Sequence, residues 1–136
     1  MKKIIFNADD YGQCESLNQG IEQAYKYGFL TSTSVRTNGT AYKTNIKSLR
    51  KRCPDLGIGV HLNIVEGKTN LEQEKRNYKI YTKDGHFKLS YIKILINSFR
   101  SDLLKQIELE FRDQIETALS DLGSLDHINS HQHCNS

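Results

Sequence analysis

The sequence predicts an α/β fold with parallel strands. Short segments rich in apolar and β-branched residues alternate with longer segments whose apolar residues recur at helical spacing. The resulting order is strand, helix, strand, helix, strand, helix, strand, which is typical of parallel strands joined by right-handed crossovers. A length of 136 residues corresponds to one domain, which can bury a core of ordinary size.

The first predicted strand and helix lie at the N-terminus. The apolar residues at 4–6 predict a strand over residues 2–7, and the turn residues that follow it end the strand. Ser16 and Gln19 match a capping box, which predicts a helix over 17–27. Gly28 is the expected C-terminal stop of this helix.

Two more strands enclose a second helix. β-branched residues predict a strand over 31–37, and a helix over 40–52 follows it. The third strand is predicted over 56–63. Its glycines, Gly57 and Gly59, indicate a close backbone approach or a bulge.

The last part of the chain combines an irregular segment with the most regular helix. Residues 66–90 are polar and aperiodic, which predicts a long excursion from the fold. Helical spacing over 101–122 predicts a helix that ends at Gly123. Its expected apolar face consists of Leu104, Ile107, Phe111, Ile115, Ala118 and Leu122. Residues 126–131 form the fourth predicted strand.

The composition excludes several classes of protein. With 26% charged residues and a single proline, the chain does not resemble a disordered or collagen-like sequence. The net charge is only +3 and the basic residues are scattered, so neither nucleic acid nor a membrane is an expected partner. No apolar run reaches membrane-spanning length. The three cysteines lack motif spacing, which indicates free thiols in the cytoplasm.

Polar clusters follow three of the predicted strands, where parallel folds collect their chemistry. Asp9 and Asp10 follow the first strand, His61 closes the third, and His131 ends the fourth. Imidazole favours zinc and carboxylate tolerates magnesium, so these residue types suit a hydrolytic divalent metal. Neighbouring side chains on extended backbone point in different directions. One aspartate could therefore hold the metal while the other addresses an attacking water.

Each cluster also has a plainer interpretation. The aspartates could be turn residues, and a single histidine such as His61 is commonly a hydrogen-bonded core residue. The alternating histidines from His127 onward could belong to a solvated tail. Their coincidence at equivalent strand ends favours a joint metal site. Tyr11 and Arg36 are further candidates for contact with a substrate.

Several separated motifs resemble the YdjC-like carbohydrate deacetylases, which include chitooligosaccharide deacetylase. They are NADDYG at 7–12, TSTS at 31–34 with NG at 38–39, GIGVHLN at 57–63 and HINSHQH at 127–133. The motifs occur in the family's order across essentially the whole chain. The resemblance implies the N-terminal part of a deformed (β/α) barrel. Residues 1–136 would then be a single YdjC-like deacetylase domain, truncated at its C-terminus.

The resemblance also implies a chemistry. A member of this family is expected to use a divalent metal, Mg²⁺ or Zn²⁺, to hydrolyse the acetyl group from N-acetylated sugars such as chitooligosaccharides. Carried over by motif position, the metal ligands would be Asp10, His61 and His131. Asp9 would be the general base, while His127 and His133 are both candidates for the proton donor to the leaving amine. The N-acetylated sugar is the expected partner, and a homo-oligomer stays open.

Two alternatives stay open beside this hypothesis. The same ligands serve a metal hydrolase that acts on another amide or on a phosphoester. The chain could also be a truncated, inactive product that binds metal or sugar. Four parallel strands do not close a barrel, which needs about eight.

Overall fold

The computed structural model describes residues 4–76, 79–97 and 99–130. Within these ranges the strands are β1 (Asn7–Tyr11), β2 (Ser32–Val35), β3 (Gly57–Leu62) and β4 (Ile128–Ser130). The helices are α1 (Glu15–Tyr27), α2 (Tyr42–Arg52), α3 (Tyr91–Ile96) and α4 (Ser101–Leu122). A short 3₁₀ helix covers Gln73–Lys75. The predicted α/β class is confirmed, and α3 is an addition to the predicted order.

The strands form one parallel sheet in the order β1-β2-β3-β4. One face packs against the helices in a core made of Tyr11, Ile21, Val35, Tyr42, Ile46, Leu49, Ile58, Val60, Ala118 and Leu122. The opposite face carries small and polar residues, which share an open cavity lined by Asn7, Ser32, Gly57, His127 and Asn129 among others. Sequential parallel strands with helices on one face agree with the predicted N-terminal part of a barrel.

The first strand begins later than predicted, at Asn7, so the predicted strand structure is wrong over residues 4–6. Ile4, Ile5 and Phe6 are exposed, and residues 2 and 3 lie outside the described ranges. Pairing begins where Asn7 lies opposite Ser32 of β2. The pairing with β2 therefore determines where β1 begins, and it places the polar residues of Asn7–Tyr11 in the sheet.

The start of α1 also differs from the prediction. The helix begins at Glu15 after Cys14, and no side chain caps it, so the predicted capping box is wrong. Buried Asn18 instead ties the helix to its surroundings: it accepts a hydrogen bond from the Gly12 N–H and donates one to the Ala41 carbonyl. Tertiary contacts thus replace the local cap. Gly28 ends the helix as predicted.

The other predicted elements agree closely with the structure. The strands predicted over 31–37 and 56–63 contain β2 and β3, and the helix predicted over 40–52 contains α2. The fourth predicted strand contains β4, although residue 131 lies outside the described ranges. Gly59 lies so close to β4 that a Cβ there would come within 2.4 Å of the His127 ring. The predicted close approach is therefore confirmed at Gly59.

Helix α4 has the predicted bounds and largely the predicted face, since Ala118 and Leu122 are buried and Ile107, Phe111 and Ile115 pack against the cores. Its buried residues are Leu103, Gln106, Glu110, Gln114, Ala118 and Leu122. Leu104 is exposed, so its predicted place in the core is wrong. The reason is that α4 turns polar residues inward to hold the segment 66–90.

That segment is irregular, as predicted, but it is firmly packed. A second core joins it to α4 and α3 through Ile64, Leu71, Ile80, Tyr81, Phe87, Ile94 and Leu103. The Tyr81 and Phe87 ring centroids lie 5.3 Å apart, within the range of favourable aromatic pairs. None of the helices in the described part of the chain combines the length and apolar character needed to cross a membrane.

Candidate active site at the strand ends

A bulge near the end of β1 brings both aspartates to one histidine. The register with β2 shifts between Ala8 and Tyr11, and Asp10 adopts the left-handed backbone region with φ 66°. Aspartate tolerates this region better than most residues. As a result, Asp9 Oδ1 lies 3.7 Å from His61 Nδ1, and Asp10 Oδ1 lies 3.6 Å from His61 Nε2. Bulges commonly re-aim side chains beside active sites.

Asp9 accepts hydrogen bonds from three side chains. Its Oδ1 lies 2.6 Å from the Ser34 hydroxyl, 2.7 Å from Asn129 Nδ2 and 2.8 Å from Asn7 Nδ2. The donors come from β1, β2 and β4, so the sheet itself orients the carboxylate. The side chain is nevertheless 49% exposed. A reacting molecule can therefore reach it.

The same contacts keep Asp9 ionised. Partial burial alone would raise the pKa of the Asp9 carboxyl. The donated hydrogen bonds outweigh this effect, those of Ser34 and Asn129 most strongly, and they hold the pKa below its ordinary value. At neutral pH the group is a carboxylate, the form that accepts a proton.

Asn129 orients His61 as well as Asp9. The Asp9 carboxylate only accepts hydrogen bonds, so Asn129 must turn its Nδ2 toward Asp9. Its Oδ1 then accepts from His61 Nδ1, at 2.6 Å. This network assigns the proton to Nδ1 and leaves the lone pair on Nε2. Spacing and strand position predicted His61, whereas the orienting role of Asn129 follows only from this network.

Two electron-rich atoms consequently face each other. The Nε2 lone pair of His61 and the carboxylate oxygen of Asp10 are 3.6 Å apart. Nitrogen and oxygen ligands bind a divalent metal at about 2.0–2.2 Å each, so a cation fits between them. Their chemistry, one imidazole and one carboxylate, suits zinc or magnesium. The predicted ligands Asp10 and His61 therefore lie together.

The third predicted ligand, His131, lies outside the described residues, as does His133. Within the described ranges no group of three metal-binding side chains is present. His127 lines the same cavity as Asn129 but lies two residues before it, directly ahead of β4, with its Nε2 against Gly59. Two strand residues span about 6.6 Å, which sets the ring back from the strand ends. Its role as a proton donor stays a prediction.

Tyr11 lies on the other side of the sheet. Its side chain is fully buried, and its hydroxyl donates to Glu22 and accepts from Arg52, residues of α1 and α2. Burial raises the pKa of the Tyr11 hydroxyl well above its ordinary value. Tyr11 is thus a core residue, which corrects the prediction that it contacts substrate. Arg36 does reach the site, but it is buried beside Asp10.

The comparisons with known proteins identify one family. The model of the family described as YdjC-like protein matches residues 3–136. The chain belongs to the YdjC-like family.

Relatives extend well beyond the part that this chain matches. A protein of Thermoanaerobacter pseudethanolicus named carbohydrate deacetylase is 35% identical over 136 residues, which are 100% of this chain and 52% of that protein. A Danio rerio protein of the same name is 32% identical over 96% of this chain and 41% of its own length. The chain therefore spans about half the length of the curated relatives that it matches.

A solved structure shares the fold. A crystal structure from Enterococcus faecalis superposes with a TM-score of 0.77 at 29% identity, over 95% of this chain and 48% of that one. This likeness supports the parallel α/β arrangement found here.

Proposed function

We propose that the full-length protein containing this chain is a metal-dependent deacetylase of N-acetylated sugars. The observation that carries the proposal is the juxtaposition of an ionised, accessible Asp9 with the His61 and Asp10 pair at the strand ends. The relatives named carbohydrate deacetylase support it, because one of them matches 100% of this chain and another matches 96%. Chitooligosaccharides are the proposed substrates, with Mg²⁺ as the proposed metal and Zn²⁺ as the alternative.

Each residue of the site has a separate role in the proposed reaction. Asp10, His61 and His131 would hold the metal, which supplies Lewis acidity that activates a water and polarises the acetyl carbonyl. Asp9 accepts the proton of the attacking water, since its hydrogen bonds fix it as a carboxylate. Asn129 keeps the His61 Nε2 lone pair directed away from Asp9.

Substrate hydrolysis tests the reaction class. The full-length protein is incubated with N,N′-diacetylchitobiose, with an unrelated acetylated amide and with p-nitrophenyl phosphate, and acetate and phosphate are measured. Acetate release from the sugar alone supports the proposal. Turnover of the phosphoester or of the other amide instead would favour the alternative hydrolases.

Metal analysis tests the ligands. The unaltered protein is expected to retain a divalent metal, and the His61→Ala, His131→Ala double variant is expected to lose it. His86→Ala is the matched control, because His86 is exposed in the segment 66–90. Normal metal content in the double variant would refute the ligand assignment.

The cytoplasmic location stays a prediction. Cys14 and Cys53 are both free thiols, as that location requires. Fractionation of cells that express the full-length protein provides the test, and recovery outside the cytoplasm would contradict the prediction.

A further inference from the structure

Arg36 is fixed against the end of β1, beside the bulge that carries Asp10. It directly follows β2, and its backbone N–H donates to the Tyr11 carbonyl at 2.7 Å. Gly12 approaches the Arg36 carbonyl so closely that a Cβ there would lie 2.9 Å from the oxygen. The backbone of Arg36 therefore has little freedom to move relative to Asp10.

The Arg36 guanidinium connects three segments of the chain. Its Nε donates to Asn38 Oδ1 at 3.2 Å, its Nη1 to Gln13 Oε1 at 3.1 Å and its Nη2 to the Glu66 carbonyl at 3.0 Å. These segments are the turn after β2, the turn before α1 and the chain beyond β3. A planar guanidinium can satisfy such divergent acceptors at once, whereas a lysine ammonium cannot match that fork.

The charge of Arg36 is balanced by acids on both sides. Nη1 lies 3.7 Å from Asp10 Oδ1 and 3.4 Å from Glu66 Oε2, while the Arg36 side chain is only 4% exposed. A buried cation is costly unless it is paired. The ion pair also supports the Asp10 backbone, because a left-handed conformation persists only where the surroundings stabilise it.

We propose that Arg36 is a positioning residue that holds the Asp10 carboxylate toward His61 Nε2. This inference rests on the proposed function, in which Asp10 is a metal ligand. With so little exposed surface, Arg36 acts through Asp10 and not by touching substrate. It also links the chain beyond β3 to the metal ligand, because the same guanidinium binds Glu66.

Metal affinity tests this role. The metal-depleted full-length protein and its Arg36→Met and Arg36→Lys variants are titrated with Zn²⁺ and with Mg²⁺ in separate calorimetric runs. Arg36→Met is expected to weaken binding about 10- to 100-fold, the usual effect of removing a residue that supports a ligand. Arg36→Lys keeps the charge but loses the fork, so we expect a weakening near the lower end of that range.

Arg52→Met is the matched control. Arg52 also binds a carboxylate, that of Glu22, but between α1 and α2 on the other face of the sheet. Its loss is expected to lower the melting temperature and leave the metal Kd unchanged. A purely structural role for Arg36 would give the same result as this control.

The outcomes separate the two proposals. An unchanged or smaller Kd in the Arg36 variants would overturn the positioning role alone. If Arg36→Met does not fold, Arg36→Lys decides by the same criterion. Failure of the unaltered protein to bind either metal would overturn the proposed metal site and, with it, this inference.

Discussion

Two carboxylates in this protein each accept three side-chain hydrogen bonds, yet their pKa values shift in opposite directions. Asp9 accepts from Asn7, Ser34 and Asn129. Glu110 of α4 accepts from the Thr69 and Tyr81 hydroxyls and from Gln114 Nε2. The pKa of Asp9 is lowered, whereas burial raises the pKa of Glu110 in spite of its three donors.

Solvent access explains the difference. The Asp9 side chain is 49% exposed, so the hydrogen bonds that it accepts together outweigh the effect of its partial burial. Glu110 is 0% exposed, so desolvation dominates, and the nearby Asp113 charge adds to it. The same number of donors therefore accompanies an accessible carboxylate at the strand ends and a buried carboxylate that binds the segment 66–90.

Loss of the Asp9 carboxylate has the largest expected effect. Asp9→Asn in the full-length protein is expected to lower deacetylase kcat by about 100- to 10,000-fold, because an amide does not accept the proton of the water. Acetate release from N,N′-diacetylchitobiose measures the effect.

Glu110→Gln is the control for that experiment. It lies outside the site and is expected to keep most of the activity. Retention of more than a tenth of the activity by Asp9→Asn would contradict the role of Asp9 as the base.

A side chain at Gly59 would change the surroundings of Asp9 indirectly, through β4. In Gly59→Ala the new methyl group meets the His127 ring and carbonyl at about 2.5 Å, so β4 and its Asn129 must shift. We expect a loss of about 1–3 kcal/mol in the free energy of unfolding, the usual cost of overpacking. Activity should fall as well, because Asn129 orients both Asp9 and His61.

Gly20→Ala is the matched change in α1. Nothing lies within 4 Å of the added Cβ, so this variant should gain about 0.5–1 kcal/mol from lower chain entropy. Urea unfolding of both variants measures the two changes in the free energy of unfolding. Equal stability of the two would show that β4 tolerates a side chain at Gly59.

Loss of the Glu110 carboxylate would weaken the contact between α4 and the segment 66–90. Glu110→Ala leaves three buried donors without their acceptor, and we expect it to cost about 1–3 kcal/mol of unfolding free energy. Limited proteolysis should then cut within 66–90, the segment that Glu110 holds. A variant as stable and as resistant as the unaltered protein would rule out this role of Glu110.

The smallest expected effect is a dependence of stability on pH. Since folding raises the Glu110 pKa, its contribution is fully present below the unfolded pKa and is lost as the pH rises through the folded pKa. Glu110→Gln removes this titration, so its unfolding free energy should fall less over the same pH rise. Parallel pH profiles for the two proteins would contradict the raised pKa.

Local signals in the sequence predicted much of the fold. Helix α4 has its predicted bounds because apolar spacing and a left-handed Gly123, at φ 80°, are both properties of neighbouring residues. The family followed from motifs whose residues stand close together in the chain, and the parallel order followed from the alternation of predicted strands and helices. Asp9, Asp10 and His61 could be predicted as candidate site residues because they are polar residues at the ends of the predicted strands.

The tertiary structure alone decided what those residues contact. Asn129 lies 120 positions from Asp9 in the chain, and no local pattern pairs them. Tyr11 faces the helices, where Arg52 donates a hydrogen bond to its hydroxyl. Glu110 is buried beside Tyr81, which donates a hydrogen bond to its carboxylate. Both partners lie on distant segments of the chain. Spacing along a chain determines which side chains share a face, whereas burial and hydrogen bonding depend on the segments that pack there.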